Sequence, residues 1–297
     1  MGYLFIALAV LSNAAKAYSG KMQSRFIHGL RGAMTVNSLR MLVCVAVSVG
    51  MLAFTEGFGG LGLRPASVAV TLLAGAANAG QVILWILVVQ RSAFMLLDVF
   101  ATLGVIVPMI VCRVIFPESE EIRLIQWAGY AVLCAAAVVM CSYSMKIKQK
   151  KMGAYEYLLL FGFGLSAGLT DLSQKLYLNF CPEISKNVFN FYTFLFAAVG
   201  MGLGLLLLGK DKNAPPVPLR KVWHYIVIMA TALFLVNYLK TFAAEYLSAA
   251  QVYPLYQGGV LVVASLTAAI FFGEKITLRC VIGIIMTFAA MLMMNVL

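Results

Sequence analysis

Five ionisable side chains stand inside otherwise apolar stretches of this 297-residue chain: Lys16, Arg40, Asp98, Asp171 and Lys240. In similar settings lie the side-chain amides of Asn13, Asn37, Asn78, Gln81, Asn190, Asn237 and Gln257, and the phenols of Tyr253 and Tyr256. Charged and amide groups are costly in an apolar medium, so they tend to face a protein interior or a water-filled cavity. Three cations set against two carboxylates suit a zwitterion or an anion better than a simple cation. Asp98 or Asp171, if buried, could also take up a proton. Any one of these residues has a simpler account, an interhelical hydrogen bond or a side chain that snorkels to the interface. Together they argue for a polar cavity, and they form the candidate substrate-binding set. Lys21 and Lys175 read as anchors at the ends of apolar runs. Asp171 precedes Lys175 by one helical turn, so a pair at that spacing would account for both.

Other chemistries find no support in the sequence. Ser19-Gly20-Lys21 lacks the upstream glycine and trailing hydroxyl of a phosphate loop. His28 and His224 are the two histidines, and neither has a metal-ligand partner at helical spacing. The cysteines Cys44, Cys112, Cys134, Cys141, Cys181 and Cys280 are scattered without a C-x-x-C pair and read as small packing residues. No catalysis, cofactor or metal is expected.

The elements that must position the candidate residues follow from composition. The chain is 63% hydrophobic and 11% charged, with a mean hydropathy of +0.95. No soluble domain hides that much apolar surface, so the expected solvent is lipid. Runs long enough to span it fall at roughly 2–20, 32–54, 66–89, 93–115, 124–145, 153–176, 187–209, 222–243, 248–272 and 277–297. The first reads as a span rather than a removed signal peptide. The expected fold is an all-α integral membrane protein of ten transmembrane helices. Glu56-Gly-Phe-Gly-Gly-Leu-Gly with Arg64-Pro65, Lys146-Ile-Lys-Gln-Lys-Lys151, and Lys210-Asp-Lys-Asn-Ala-Pro-Pro-Val-Pro218 are the punctuation between runs.

A net charge of +11 would suggest nucleic acid in a soluble protein. Here the cations cluster between runs, where they set orientation and meet anionic lipid headgroups, so lipids are expected partners and nucleic acid is not. Loops after odd-numbered runs hold Lys21, Arg25, Arg31, Arg91, Lys146, Lys148, Lys150, Lys151, Lys210, Lys212, Arg220, Lys221, Lys275 and Arg279. Loops after even-numbered runs hold Arg64, Arg113, Arg123, Lys175, Lys186 and Lys240. The excess places the odd loops in the cytoplasm and both termini outside.

The chain also echoes itself at an offset of 154 residues. Tyr3-Leu4 returns as Tyr157-Leu158, Ser12, Ser19 and Lys21 as Ser166, Ser173 and Lys175, and Glu120-x-Ile122-x-Leu124 with Gly129 as Glu274-x-Ile276-x-Leu278 with Gly283. Two units are expected, residues 1–148 and 153–297, each of five helices. Five is odd, so the second crosses in the opposite sense, and a cavity is expected at the seam. Depth along the runs puts Lys16 and Asp98 toward one face and Asp171 and Lys240 toward the other, as two opposed polar gates. Gly162-x-Gly164-x-x-x-Gly168 and Gly200-x-Gly202-x-Gly204 read as close-packing surfaces. Pro108 and Pro254 read as kinks that free backbone carbonyls, and Tyr253–Gly259 as the first choice for a substrate-contacting segment.

Leu247-Ser248-Ala249-Ala250, Phe271-Phe272-Gly273-Glu274-Lys275-Ile276-Thr277 and Gly283, with a weaker version from Glu120 to Gly129, resemble the drug/metabolite transporter superfamily, specifically its EamA-like ten-span branch. Arg40 matches a frequent arginine of that branch. Ser166 to Lys175 keeps the spacing of its sixth-span signature, with Ser166 where tryptophan is usual. Leu261 stands where a proline is common, and eukaryotic members keep their termini in the cytosol, opposite to the charge count. The resemblance implies alternating access around a central cavity built by both repeats, but no particular substrate. The expected function is a secondary transporter of a small polar or amphipathic metabolite, an amino acid or related zwitterion or anion. Coupling to protons or to an exchange substrate, and residence in the bacterial cytoplasmic (inner) membrane, go with that expectation. Glu274 is expected to be structural. The alternatives are a flippase for a lipid-linked headgroup and a non-transporting membrane scaffold or sensor.

Overall fold

A computed structural model describes residues 1–27, 29–55, 57–58, 61–62, 64–91, 94–117, 122–147, 153–208, 217–272 and 278–295. His28, Glu56, Glu120, Lys148, Lys150, Lys151, Lys210, Lys212, Glu274 and Lys275 lie outside them. The described residues form eleven helices: α1 (Gly2–Ser24), α2 (Gly29–Thr55), α3 (Pro65–Arg91), α4 (Phe94–Gly104), α5 (Ile106–Ile115), α6 (Leu124–Ile147), α7 (Ala154–Phe180), α8 (Lys186–Leu207), α9 (Leu219–Tyr246), α10 (Ala249–Phe272) and α11 (Leu278–Asn295). Each apolar run of the sequence is thus helical, and the fourth is broken into α4 and α5. Among the described residues, six helical stretches are long and apolar enough to cross a membrane: Gly29–Thr55, Pro65–Val88, Leu97–Ile115, Lys186–Leu207, Leu219–Tyr246 and Ala249–Phe271. Leu124–Val139 and Leu278–Met294 are shorter apolar helices.

The break at Val105 has a covalent cause. Pro108 has no N–H to offer the carbonyl of Gly104, and its ring crowds that carbonyl. Val105 instead closes a tight turn, donating to the Thr102 carbonyl at 3.2 Å. The last carbonyls of α4 then need donors from elsewhere, because lipid supplies none. The Tyr130 hydroxyl on α6 donates to the carbonyls of Leu103, at 2.9 Å, and Thr102, at 3.2 Å. Pro254 sits inside α10 without breaking it. Helix ends use local signals: Gly57, at φ +68°, donates to the Leu52 carbonyl at 2.8 Å beyond α2. Ser185 caps α8 by accepting from the Asn187 amide at 3.1 Å.

The packing interleaves the first and last parts of the chain. α1 lies against α9 and α10; α7 lies against α3, α4 and α5. α2 packs on α8 and α9, α8 also on α3, and α6 on α11. Asn187, near the start of α8, donates to the Thr55 hydroxyl at the end of α2 at 3.0 Å, so these two helices run in opposite directions. Gln126, near the start of α6, donates to the Met294 carbonyl at the end of α11 at 3.2 Å, so this pair is antiparallel too.

α4 and α7 cross with their backbones close together. A side chain on Gly164 would collide with the Phe100 carbonyl, and one on Gly104 or Gly168 with the backbone of the opposite helix. The Gly164-x-x-x-Gly168 surface is therefore a backbone-to-backbone contact. The second expected glycine surface differs. Gly200 and Gly202 have open space where a Cβ would stand, and of that triplet only Gly204 meets a neighbour, Met34. Gly164→Ala is expected to destabilise the protein by about 1–3 kcal/mol through overpacking. Gly200→Ala should stay within about 0.5 kcal/mol of the parent. Thermal unfolding of the two purified variants side by side checks the contrast.

Candidate functional site

α1, α2, α3, α4, α7, α9 and α10 enclose a central cavity of about 80 Å³. Ten of the fourteen candidate residues line it: Asn13 and Lys16 on α1, Arg40 on α2, Gln81 on α3, Asp98 on α4, Asp171 on α7, Asn237 and Lys240 on α9, and Tyr256 and Gln257 on α10. Sequence positions from 13 to 257 thus converge on one space. α1 and α7 are the reason. Their polar residues recur on one helical face, Asn13, Lys16 and Gln23 on α1 and Thr170, Asp171 and Gln174 on α7.

One side of the cavity is a neutralised layer. The Lys240 ammonium forms an ion pair with the Asp171 carboxylate, with side-chain exposures of 7% and 2%. The same ammonium lies 4.7 Å from the Tyr256 ring centroid and 5.8 Å from that of Tyr253. A carboxylate and two aromatic faces offset part of the cost of taking this charge out of water. Gln174 continues the layer by donating to the Asn237 side chain at 3.4 Å.

The other side is not neutralised. Arg40 is 1% exposed, and its guanidinium donates to a neutral partner, the Gln23 side-chain carbonyl, at 2.8 Å. Its Nε has no hydrogen-bond partner among the described residues. Lys16 and Asp98 are half-buried and line the cavity without an ion pair closer than 4.0 Å among the described residues. Lys16 lies in the fields of Lys240, Asp98, Arg40 and Asp171. Two cations and a carboxylate therefore face a small polar space, and among the described residues none of the three is in a contact ion pair.

The remaining four candidates sit behind the wall. Asn37 is fully buried and donates to the Val82 carbonyl on α3 at 3.3 Å. Asn78 is fully buried on α3, and neither of its amide atoms has a hydrogen-bond partner among the described residues. Asn190 donates to Lys186 within its own helix at 2.9 Å. Tyr253 backs Lys240 from outside the lining. The Tyr253–Gly259 segment, expected to be irregular, is continuous helix and reaches the cavity through Tyr256 and Gln257.

Two further expectations change. Asp171 takes Lys240 on α9 as its ion-pair partner, not Lys175 one turn along α7. Lys16, Asp98, Asp171 and Lys240, expected as two separated gates, surround one cavity, because α1, α4, α7 and α9 cross at its level. Gln23, Gln174 and Thr170 were not singled out by the sequence. Their signal was available: Gln23 lies seven residues after Lys16 on the same face, and Gln174 three after Asp171.

Beyond the Asp171–Lys240 layer is a second, larger cavity of about 720 Å³, lined by polar groups including Lys175, Asn179, Glu183, Lys186 and Glu245. At its rim Lys186 pairs with Glu245, and Arg64 with Glu183 at 2.6 Å. These are exposed pairs worth at most about 1 kcal/mol each. At the opposite end the interior is apolar, with Ile27, Ala33, Val36, Ile86, Val222 and Ile226 in one cluster and Trp85 packed on it.

Residues 154–296 match the EamA-like transporter family, a family of the drug/metabolite transporter superfamily. This is the half that carries the strongest motifs. No curated protein matches the chain. A solved structure described simply as the crystal structure of a protein superposes on 99% of this chain and 97% of its own, with a TM-score of 0.76 and 13% identity. At that identity the likeness concerns the fold. The family and the apolar helices together make the chain an integral, multi-pass membrane protein.

The buried ion pair is expected to behave as a unit. Lys240→Met alone leaves a buried carboxylate without its partner and should cost about 3–5 kcal/mol. Asp171→Leu with Lys240→Met should recover at least about half of that loss. Unfolding temperatures of the parent, both single variants and the double variant close the cycle.

Proposed function

We propose that this chain, an EamA-type protein over residues 154–296, is a secondary transporter. Its solute is a small polar metabolite, an amino acid or related zwitterion or anion, carried by alternating access through the central cavity. The observation that carries the reading is the convergence of Lys16, Arg40, Asp98, Asp171 and Lys240 on one small space inside an apolar bundle. Ionisable groups are expensive in such a setting and are retained where a polar solute or ion must be met.

The division into units 1–148 and 153–297 has support in the packing. If α4 and α5 count as one broken span, the chain has ten spans, and shifting each partner by five spans maps the main pairings onto one another. α1 on α9 becomes α7 on α3; α1 on α10 becomes α7 on α4 and α5; α2 on α9 becomes α8 on α3. The pairs α2 with α8 and α6 with α11 map onto themselves and are antiparallel, as an inverted repeat requires. The cavity then lies at the seam between two units. The excess of cations in the loops after odd-numbered spans supports a cytoplasmic face there, with both termini outside, in a bacterial inner membrane.

The experiment is solute flux in proteoliposomes of the full-length protein, guided by a thermal-shift screen of metabolites, since a ligand that binds the folded state raises its stability. Uptake of a zwitterionic or anionic solute is expected. Lys16→Gln and Asp98→Asn should each weaken its apparent affinity by about 10–100-fold, the worth of a charge-assisted hydrogen bond. Movement of a lipid-linked headgroup analogue with no soluble solute transported would replace this reading with a flippase.

A further inference from the structure

We propose that the solute of the central cavity is an amino-dicarboxylate of net charge −1, with one carboxylate on Arg40, the other on Lys16, and its ammonium on Asp98. This rests on the carrier reading and narrows it.

The charges that line the cavity must be balanced within it. The lining contains three cations and two carboxylates, a balance of one positive charge. Lys240 and Asp171 cancel each other by direct contact. What remains is Arg40, Lys16 and Asp98. Arg40 is buried, has a neutral partner in Gln23, and has an unpartnered Nε. Its planar fork fits a carboxylate with two parallel hydrogen bonds. Lys16 and Asp98 face the same space without an ion-pair partner of their own among the described residues. A group set of two cations and one carboxylate is the complement of two carboxylates and one ammonium. A neutral amino acid would leave one buried cation unanswered, and a dicarboxylate without an amine would leave Asp98 unanswered. Buried charges are tolerated when paired, so the fully complementary solute is the one favoured.

The cavity is small, about 80 Å³, which restricts the solute to a compact one. Gln81, Gln257 and Asn237 add neutral donors and acceptors around it.

The test compares L-aspartate, its neutral isostere L-asparagine, succinate and L-lysine. Each is assayed by thermal shift on the purified full-length protein and by labelled uptake into proteoliposomes. Aspartate should stabilise saturably, at a concentration at least about tenfold lower than asparagine or succinate, and lysine should not compete. Removing one wall charge should reorder the solutes. Asp98→Asn should favour succinate over aspartate, and Arg40→Gln should favour asparagine over aspartate. A change of rank is not produced by a variant that is merely less stable, and either variant suffices if the other does not fold. Asparagine or lysine matching aspartate, or an unchanged order in both variants, overturns the charge assignment while leaving a carrier for the solute that does move. No response to any of the four also overturns it. If a wide flux screen is silent as well, the carrier reading falls with it.

Discussion

In lipid, a polar atom has to find its partner within the protein. Much of the arrangement follows from that requirement. Where Pro108 breaks the fourth span, the carbonyls of Thr102 and Leu103 at the end of α4 accept from the hydroxyl of Tyr130 on a different helix. Where Arg40 stands deep in the bundle, Gln23 reaches it from α1. Where Asp171 is buried on α7, Lys240 comes from α9. Each of these links joins helices that hydrophobic packing alone would hold only loosely, since lipid tails are as apolar as the side chains they compete with. The polar cavity is thus part of what holds the helices in register.

The helical runs were legible because the bilayer sets one length and one composition, and every run of the sequence is helical in the structure. The departures from apolar composition were legible too, and they carry meaning. α1 and α7 do not count among the stretches apolar enough to cross by composition. They are the helices with Lys16 and Asp171, and each contributes to the cavity wall. Their polarity is the mark of the cavity on the sequence. The motifs of the second half were likewise readable and agree with the family match over residues 154–296.

Partners were not legible. Asp171 has a lysine one turn away, and local spacing favours it, yet the structure gives it Lys240 from 69 residues further along. A sequence shows which side chains share a helical face but not which helix crosses in front of that face. The same limit applies to the glycines. Gly164 and Gly200 both sit in patterns of small residues, but α4 crosses α7 at the first, and open space stands at the second. The position of a break could be anticipated from Pro108, but the donor that heals it, Tyr130, could not.

The α4–α7 crossing has a mechanical consequence. Most helix contacts are knobs seated in holes, and moving one helix past the other means lifting side chains out and finding new rotamers for them. At Gly104, Gly164 and Gly168 there are no side chains to lift, and backbone rests on backbone. Such a contact fixes the distance between two axes and leaves fewer side chains to re-seat if their angle changes. Asp98 lies six residues from Gly104 on α4, and Asp171 lies three residues from Gly168 on α7. A few degrees of turn about that point would swing the two carboxylates of the cavity relative to each other, with the hub between them held at constant separation.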